Sequence, residues 1–163
     1  MARTGASVES GRPWRHVRPS PVGQTARMTV LPTAGRPAER HAHDSVARLT
    51  TLRPNGTPQS SPVWFVAHDG ALYLRSQPDA AKLRNIAAHP AVSFHLDSDG
   101  SGGDIVTIEG TAEVLDVAPD AVLELYLSKY GTMMRERLAT TPEHLTAQYS
   151  TTIRITPLRI RSW

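Results

Sequence analysis

The run VARLTTLRPNGTPQSSPVWFVA, from Val46 to Ala67, decides the fold class. Val46 to Leu52 is alternating and rich in β-branched residues, which reads as a strand. Arg53 to Pro58 carries Asn55-Gly56, the dipeptide best suited to the left-handed positions of a tight hairpin turn, and Gln59 to Ala67 returns as a second strand. Pro62 has no N–H for a ladder, so it confines that second strand to a sheet edge or a bulge.

Outward from this hairpin, His68-Asp69-Gly70 is a further turn and Ala71 to Ser76 a third strand, which makes a β-meander. Ala80 to Ala88 reads as a helix with Asp79 as its N-cap and with Leu83, Ile86 and Ala87 on one stripe; Pro90 stops it. Val92 to Leu96 and Asp104 to Leu115 are two more strands, separated by a loop rich in Gly and Asp. Val122, Leu123, Leu125, Tyr126 and Tyr130 give Pro119 to Gln148 a helical period, with breaks expected near Gly131 and at Pro142 and hence two or three helices. Thr151 to Trp163 is the last strand. The expected class is mainly β with α additions: a small barrel of about six antiparallel strands with about three to five helices.

Residues 1–36 are read as a disordered tail, because Pro13, Pro19, Pro21 and Pro32 stand among Arg, Ser and Gly without an apolar period. Met28 opens a shorter N-terminus, so residues 1–27 are expected to be dispensable. Residues 37–163 are read as one domain, a size sufficient for a hydrophobic core. The pI of about 9.7 comes from the tail: outside residues 1–27, 13 basic face 14 acidic side chains, which gives no reason to expect nucleic acid as a partner. The absence of cysteine removes disulfides and thiolate metal sites. No apolar run suits a secretory signal or a membrane span, so a cytoplasmic protein without a membrane partner is expected.

The ordered motifs carry more than the pattern does. Pro58-Gln-Ser-Ser-Pro-Val-Trp-Phe65, Ser76-Gln-Pro-Asp-Ala-Ala-Lys-Leu-Arg-Asn-Ile86, His89-Pro-Ala-Val-Ser-Phe94 and Glu109-Gly-Thr-Ala-Glu113 resemble the pyridoxamine 5′-phosphate oxidase-like superfamily of FMN-binding split β-barrels. Within it, the similarity is to the actinobacterial F420-dependent branch, over about residues 40 to 163. The resemblance implies a homodimer with two cofactor sites between the subunits, and F420-dependent oxidoreductase activity on an unsaturated small-molecule substrate. It also implies site roles: Ser61, Pro62, Val63 and Trp64 beside the ring, Arg75, Ser76 and Gln77 under the ribityl-phosphate, and Lys82, with Arg84, near the phosphate at the helix start. Gly103, Asp104 and Trp163 would reach the cofactor from the partner subunit or the dimer seam, and Leu115 to Tyr149 would form the wall opposite the ring.

FMN is the alternative cofactor. FMN-dependent relatives grip the phosphate with an Arg and a Lys where this chain has Ser61 and Val66, which favours F420; the chain also ends at Trp163, without the Arg-containing segment of vitamin-B6 oxidases. A non-catalytic F420 or flavin carrier would present the same motifs. Residue by residue, plainer readings stand beside these: Lys82 and Arg84 as a solvated helix face, and Trp64 as core. No catalytic acid or base is singled out. The histidines, His41 and His43 included, show no ligand spacing, so no metal is expected. Ser60-Ser61 lacks a nucleophile elbow, and Asp97 to Asp104 lacks the final Glu of a calcium loop.

Overall fold

The computed structural model describes residues 30–138 and 140–163. Its elements run α1 (Arg36–His43), β1 (Ala47–Leu52), β2 (Pro58–Val63), β3 (Phe65–His68), β4 (Ala71–Ser76), α2 (Ala81–Ala88), β5 (Ala91–Leu96), β6 (Val106–Leu115), α3 (Asp120–Arg137), α4 (Pro142–Gln148) and β7 (Thr151–Ser162). All strand pairs are antiparallel, in the order β2-β1-β5-β6-β7-β4-β3. The two edge strands, β2 and β3, are consecutive in the chain. The sheet therefore curls back toward itself as a half-barrel.

Burial alternates with the strand period. Leu49 on β1, Phe94 on β5, Ile108 on β6 and Ile153 and Ile155 on β7 point into one core. β4 is covered on both faces: Leu72 and Leu74 join that core, while Ala71 and Tyr73 face a second cluster with Val66 and α3. α3 supplies Val122, Tyr126, Tyr130 and Met134, a stripe at four-residue spacing. At the β6 bulge, between Glu109 and Gly110, a Cβ on Gly110 would lie 2.6 Å from the Thr156 carbonyl oxygen.

Several expectations need correction. The strand expected over Gln59 to Ala67 divides at Trp64, where the chain leaves β1 as partner and joins β4. Asp79 is not the N-cap of α2; Ala80 is, with no side-chain cap, and on the expected stripe Ala87 is exposed while Asn85 is buried. Asn85 is paid for in hydrogen bonds, donating to Thr51 Oγ1 and Gln59 Oε1. Asp104 precedes β6 instead of opening it, with φ of 54°. Gly131 does not break α3, because the Tyr126, Tyr130 and Met134 contacts on either side of it outweigh its weak propensity. Of the expected tail, residues 1–29 lie outside the described residues; Leu31 is buried in the main core and α1 begins at Arg36.

Helix α1 buries His41, a residue 3% exposed with neither ring nitrogen hydrogen-bonded among the described residues. Burial first, then the nearby Lys129, pushes its pKa down from 6.5 to about 4. The unfolded ring thus takes up a proton before the folded one. Stability is expected to be full above about pH 6.5 and to fall as pH drops toward 4, by about 3 kcal/mol for this group. Urea denaturation across that range checks it: His41→Leu should flatten the slope, and an unchanged slope would contradict the assignment. Gly110→Ala should cost about 1 to 3 kcal/mol at any pH, read as a lower urea midpoint, because the methyl meets backbone at the bulge.

Candidate functional site

The break at Trp64 leaves backbone groups that the sheet ladder does not pair, and α3 supplies their partners. The Tyr126 hydroxyl donates to the Trp64 carbonyl at 2.6 Å and accepts from the Arg75 N–H at 2.9 Å. The Tyr130 hydroxyl accepts from the Phe65 N–H at 2.9 Å and lies 2.8 and 2.9 Å from the Phe65 and Ser45 carbonyls. Trp64 stacks on the Tyr130 ring, centroids 4.5 Å apart and planes within 6°. Burial raises the pKa of both tyrosines, so each stays a neutral donor and acceptor.

Around this joint lies a cavity of about 380 Å³. Pro62, Val63 and Trp64 from the corner, Arg75 from the end of β4 and Lys82 from the first turn of α2 line it. Opposite them, α3 and α4 contribute Leu123, Leu127 and Leu145 among others. The expected wall is thus on the cavity, drawn from the middle and end of the Leu115 to Tyr149 stretch.

The charge of the cavity is one-sided. Arg75 donates to Thr152 Oγ1 at 3.0 Å and to the Thr146 carbonyl at 3.1 Å, and Lys82 reaches Ser76 Oγ at 3.4 Å; neither side chain bonds a carboxylate. Among the described residues, no Asp or Glu lines the cavity. Burial lowers the pKa of both cations, the expected sign for positive charge taken from water without a counter-ion. Lys82 sits in the first turn of α2, whose start has no side-chain cap and carries the positive end of the helix dipole.

The other candidate residues fall in three places. Ser76 is buried directly behind Lys82 and donates to the Gln77 carbonyl; Gln77 is half-buried. Ser61 lies on β2 opposite Leu49, and Arg84 is exposed and turned onto the Asp79 carbonyl; neither lines the cavity. Gly103, Asp104 and Trp163 form a separate group, because Ile105 pairs its backbone with Trp163. Along β7, Thr152 opposite Arg75 and Ser162 opposite Val106 are about 30 Å apart at about 3.3 Å per residue. Within one chain this group is remote from the cavity. The Asp104 carboxylate is taken by Arg36 and Arg40, whose hydrogen bonds and charge hold its pKa down.

Sequence reasoning missed Tyr126 as the joint of the site, and also α1. The signal was present for the first: Val122, Tyr126, Tyr130 and Met134 continue the four-residue spacing past Gly131, with two hydroxyls on a buried stripe that must find partners.

The family described as pyridoxamine 5′-phosphate oxidase matches residues 38–163. Among solved structures, a conserved hypothetical protein from Mycobacterium tuberculosis is similar at 24% identity and TM-score 0.63, covering 86% of this chain and 89% of its own. HutZ, a heme storage protein from Vibrio cholerae, is similar at 15% identity and TM-score 0.62, covering 77% and 91%. An F420 reductase is similar at 23% identity and TM-score 0.56, covering 76% and 94%. These likenesses are of fold. No curated protein matches the chain.

Tyr126→Phe leaves the Trp64 carbonyl without its donor and the Arg75 N–H without its acceptor in a buried place. A loss of about 1 to 3 kcal/mol is expected, measured as a lower urea midpoint at unchanged slope. Wild-type stability in the variant would show that the hydroxyl is not the joint.

Proposed function

The chain belongs to the pyridoxamine 5′-phosphate oxidase family, and from that premise we propose that it is an F420-dependent oxidoreductase acting on an unsaturated, apolar small molecule. The observation that carries this reading is the pair of half-buried cations, Arg75 and Lys82, without a carboxylate at one end of an otherwise apolar cavity. Such an arrangement suits a ligand with a flat apolar ring and an anionic tail. It does not suit a cationic substrate.

The residues fit F420 in kind. Lys82, Arg75 and the uncapped start of α2 would hold the phosphate of its tail, and Pro62 to Trp64 would flank its ring. Bound in this cavity, reduced F420 would supply the hydride for reduction of an unsaturated substrate, with the accompanying proton drawn from solvent. The chain's part is to bind, orient and exclude water: the leucines of α3 and α4 form the dry wall, and the Tyr126 joint holds the corner and Arg75 at a fixed separation.

Two further points concern the cofactor. Neither Ser61 nor Val66 lines this cavity, and Val66 is buried against α3 in the second core cluster, so the missing cations at those two positions do not bear on F420 against FMN here. Among the described residues no histidine lines the cavity, and the chain has no cysteine, so the lining offers neither of those axial ligands for haem. A carrier without turnover would need the same cations, and substrate-dependent oxidation of reduced F420 separates the two.

The remote group supports a homodimer with its cofactor sites at the subunit interface. Trp163 is 65% exposed at the far end of β7 from Arg75, so it reaches such a site only in a second copy. Asp104 is better read as the anchor of α1 than as a cofactor contact.

Lys82→Ala is expected to weaken F420 binding by roughly 1.5 to 3 kcal/mol, about 10- to 150-fold, in a fluorescence titration. Added salt should narrow the gap, since the site is partly open to water. Equal affinity in the two proteins would return Lys82 to the solvated face of α2 and remove the phosphate site.

A further inference from the structure

We propose that Arg75, beyond its place at the cofactor's tail, is a positioning residue for the substrate wall: its guanidinium clamps the C-terminal end of α4 beside the corner cavity, and a cofactor anion bound at the same guanidinium tightens that clamp. The wall is then completed only once the cofactor is in place, so the unsaturated substrate binds second. This rests on the F420 reading above, which puts an anionic tail at Arg75 and Lys82.

Helix α4 is weakly held by its own contacts. It is seven residues long and none of them is buried, and a helix of that length is marginal without support from outside. Leu145 packs against the second core cluster, and Leu145, Thr146 and Tyr149 line the cavity. The Thr146 carbonyl lies in the last turn, where helix carbonyls run out of intrahelical N–H partners. Arg75 Nη2 donates to it at 3.1 Å. A guanidinium in that place also meets the negative end of the α4 dipole.

The other end of the clamp is fixed. Arg75 Nη1 donates at 3.0 Å to the hydroxyl of Thr152, a buried residue of β7, and the Arg75 N–H is held by the Tyr126 hydroxyl at 2.9 Å. A guanidinium has five N–H donors, and the bonds to Thr146 and Thr152 use two of them. The remaining donors let an anion join the clamp without displacing α4. Such an anion also restricts the long Arg75 side chain to the conformation that reaches Thr146, and freedom already lost to the ligand is not lost again when α4 docks. Lys82 bonds Ser76 instead and, among the described residues, makes no hydrogen bond to α4, so it holds the anion without moving the wall.

Amide hydrogen exchange of the full chain, followed by NMR with and without F420, tests the clamp. Arg75→Lys keeps the charge but lacks the planar fork that reaches Thr146 and Thr152 together. In the free protein it should speed exchange at the Leu145 and Tyr149 amides of α4 about tenfold, with the Asp44 amide at the end of α1 unchanged as a reference. Saturating F420 should slow the two α4 amides in the wild type by about tenfold, and much less in Arg75→Lys. Thr152→Val, outside the cavity, should lose part of the same slowing while its F420 affinity stays near that of the wild type. Failure of F420 to bind would overturn the proposed function and the cofactor's part in the clamp, while the free-protein comparison still decides whether Arg75 holds α4. Equal slowing in wild type and both variants would show that the ligand merely covers α4, and unchanged exchange in free Arg75→Lys would show that α4 is held without Arg75; either result overturns the proposal.

Discussion

Two phenol hydroxyls on one stripe of a helix hold this structure in its working shape. A seven-stranded sheet that curls into a half-barrel must break where its edge strands meet, and here the break falls at Trp64, between β2 and β3. Backbone groups at such a corner have no ladder partner and would be costly to bury. Tyr126 and Tyr130 supply the partners from α3, four residues apart and so on the same face. The corner cavity and the groove beside α1 both follow from that docking, because α3 laid across the corner leaves one hollow on each flank.

The electrostatics divide the molecule in a corresponding way. Around α1 the charges are matched: Arg36 and Arg40 meet Asp104, and Arg40 also meets Asp44, which ties the helix to the β5–β6 loop. In the corner cavity they are unmatched, with Arg75 and Lys82 hydrogen-bonded, among the described residues, only to hydroxyl and carbonyl oxygens. Matched surface charge adds little beyond local order, whereas a half-buried charge without a counter-ion gives up hydration and gains no ion pair in return.

Much of this was legible in the residues. Asn55-Gly56 and the alternation around it gave the first hairpin, Pro62 marked an edge strand, and the ordered motifs through Glu113 gave the family. Cross-chain facts were not legible. Pro62 signalled an edge or a bulge, but the break two residues later at Trp64 depends on which neighbour each half pairs with, and that pairing is not written in the local residues. Asp79 looked like a cap, but the turn closed by the Ala80 N–H and the Gln77 carbonyl moved the helix start past it. Val66 counted as a lost phosphate cation only until its side chain was seen to face α3, a matter of strand parity across the break. The α1 helix was hidden by its polarity: it is fixed by ion pairs and by one buried histidine rather than by an apolar stripe.

The central claim is that the paired cations at the end of an apolar cavity select a deazaflavin. The most direct measurement is to equilibrate the full chain with equal concentrations of F420, FMN and haemin, remove free ligand by gel filtration, and record the absorbance spectrum and mass of what is retained. The account predicts a retained deazaflavin at one per subunit, whereas preferential retention of FMN or haem would contradict it.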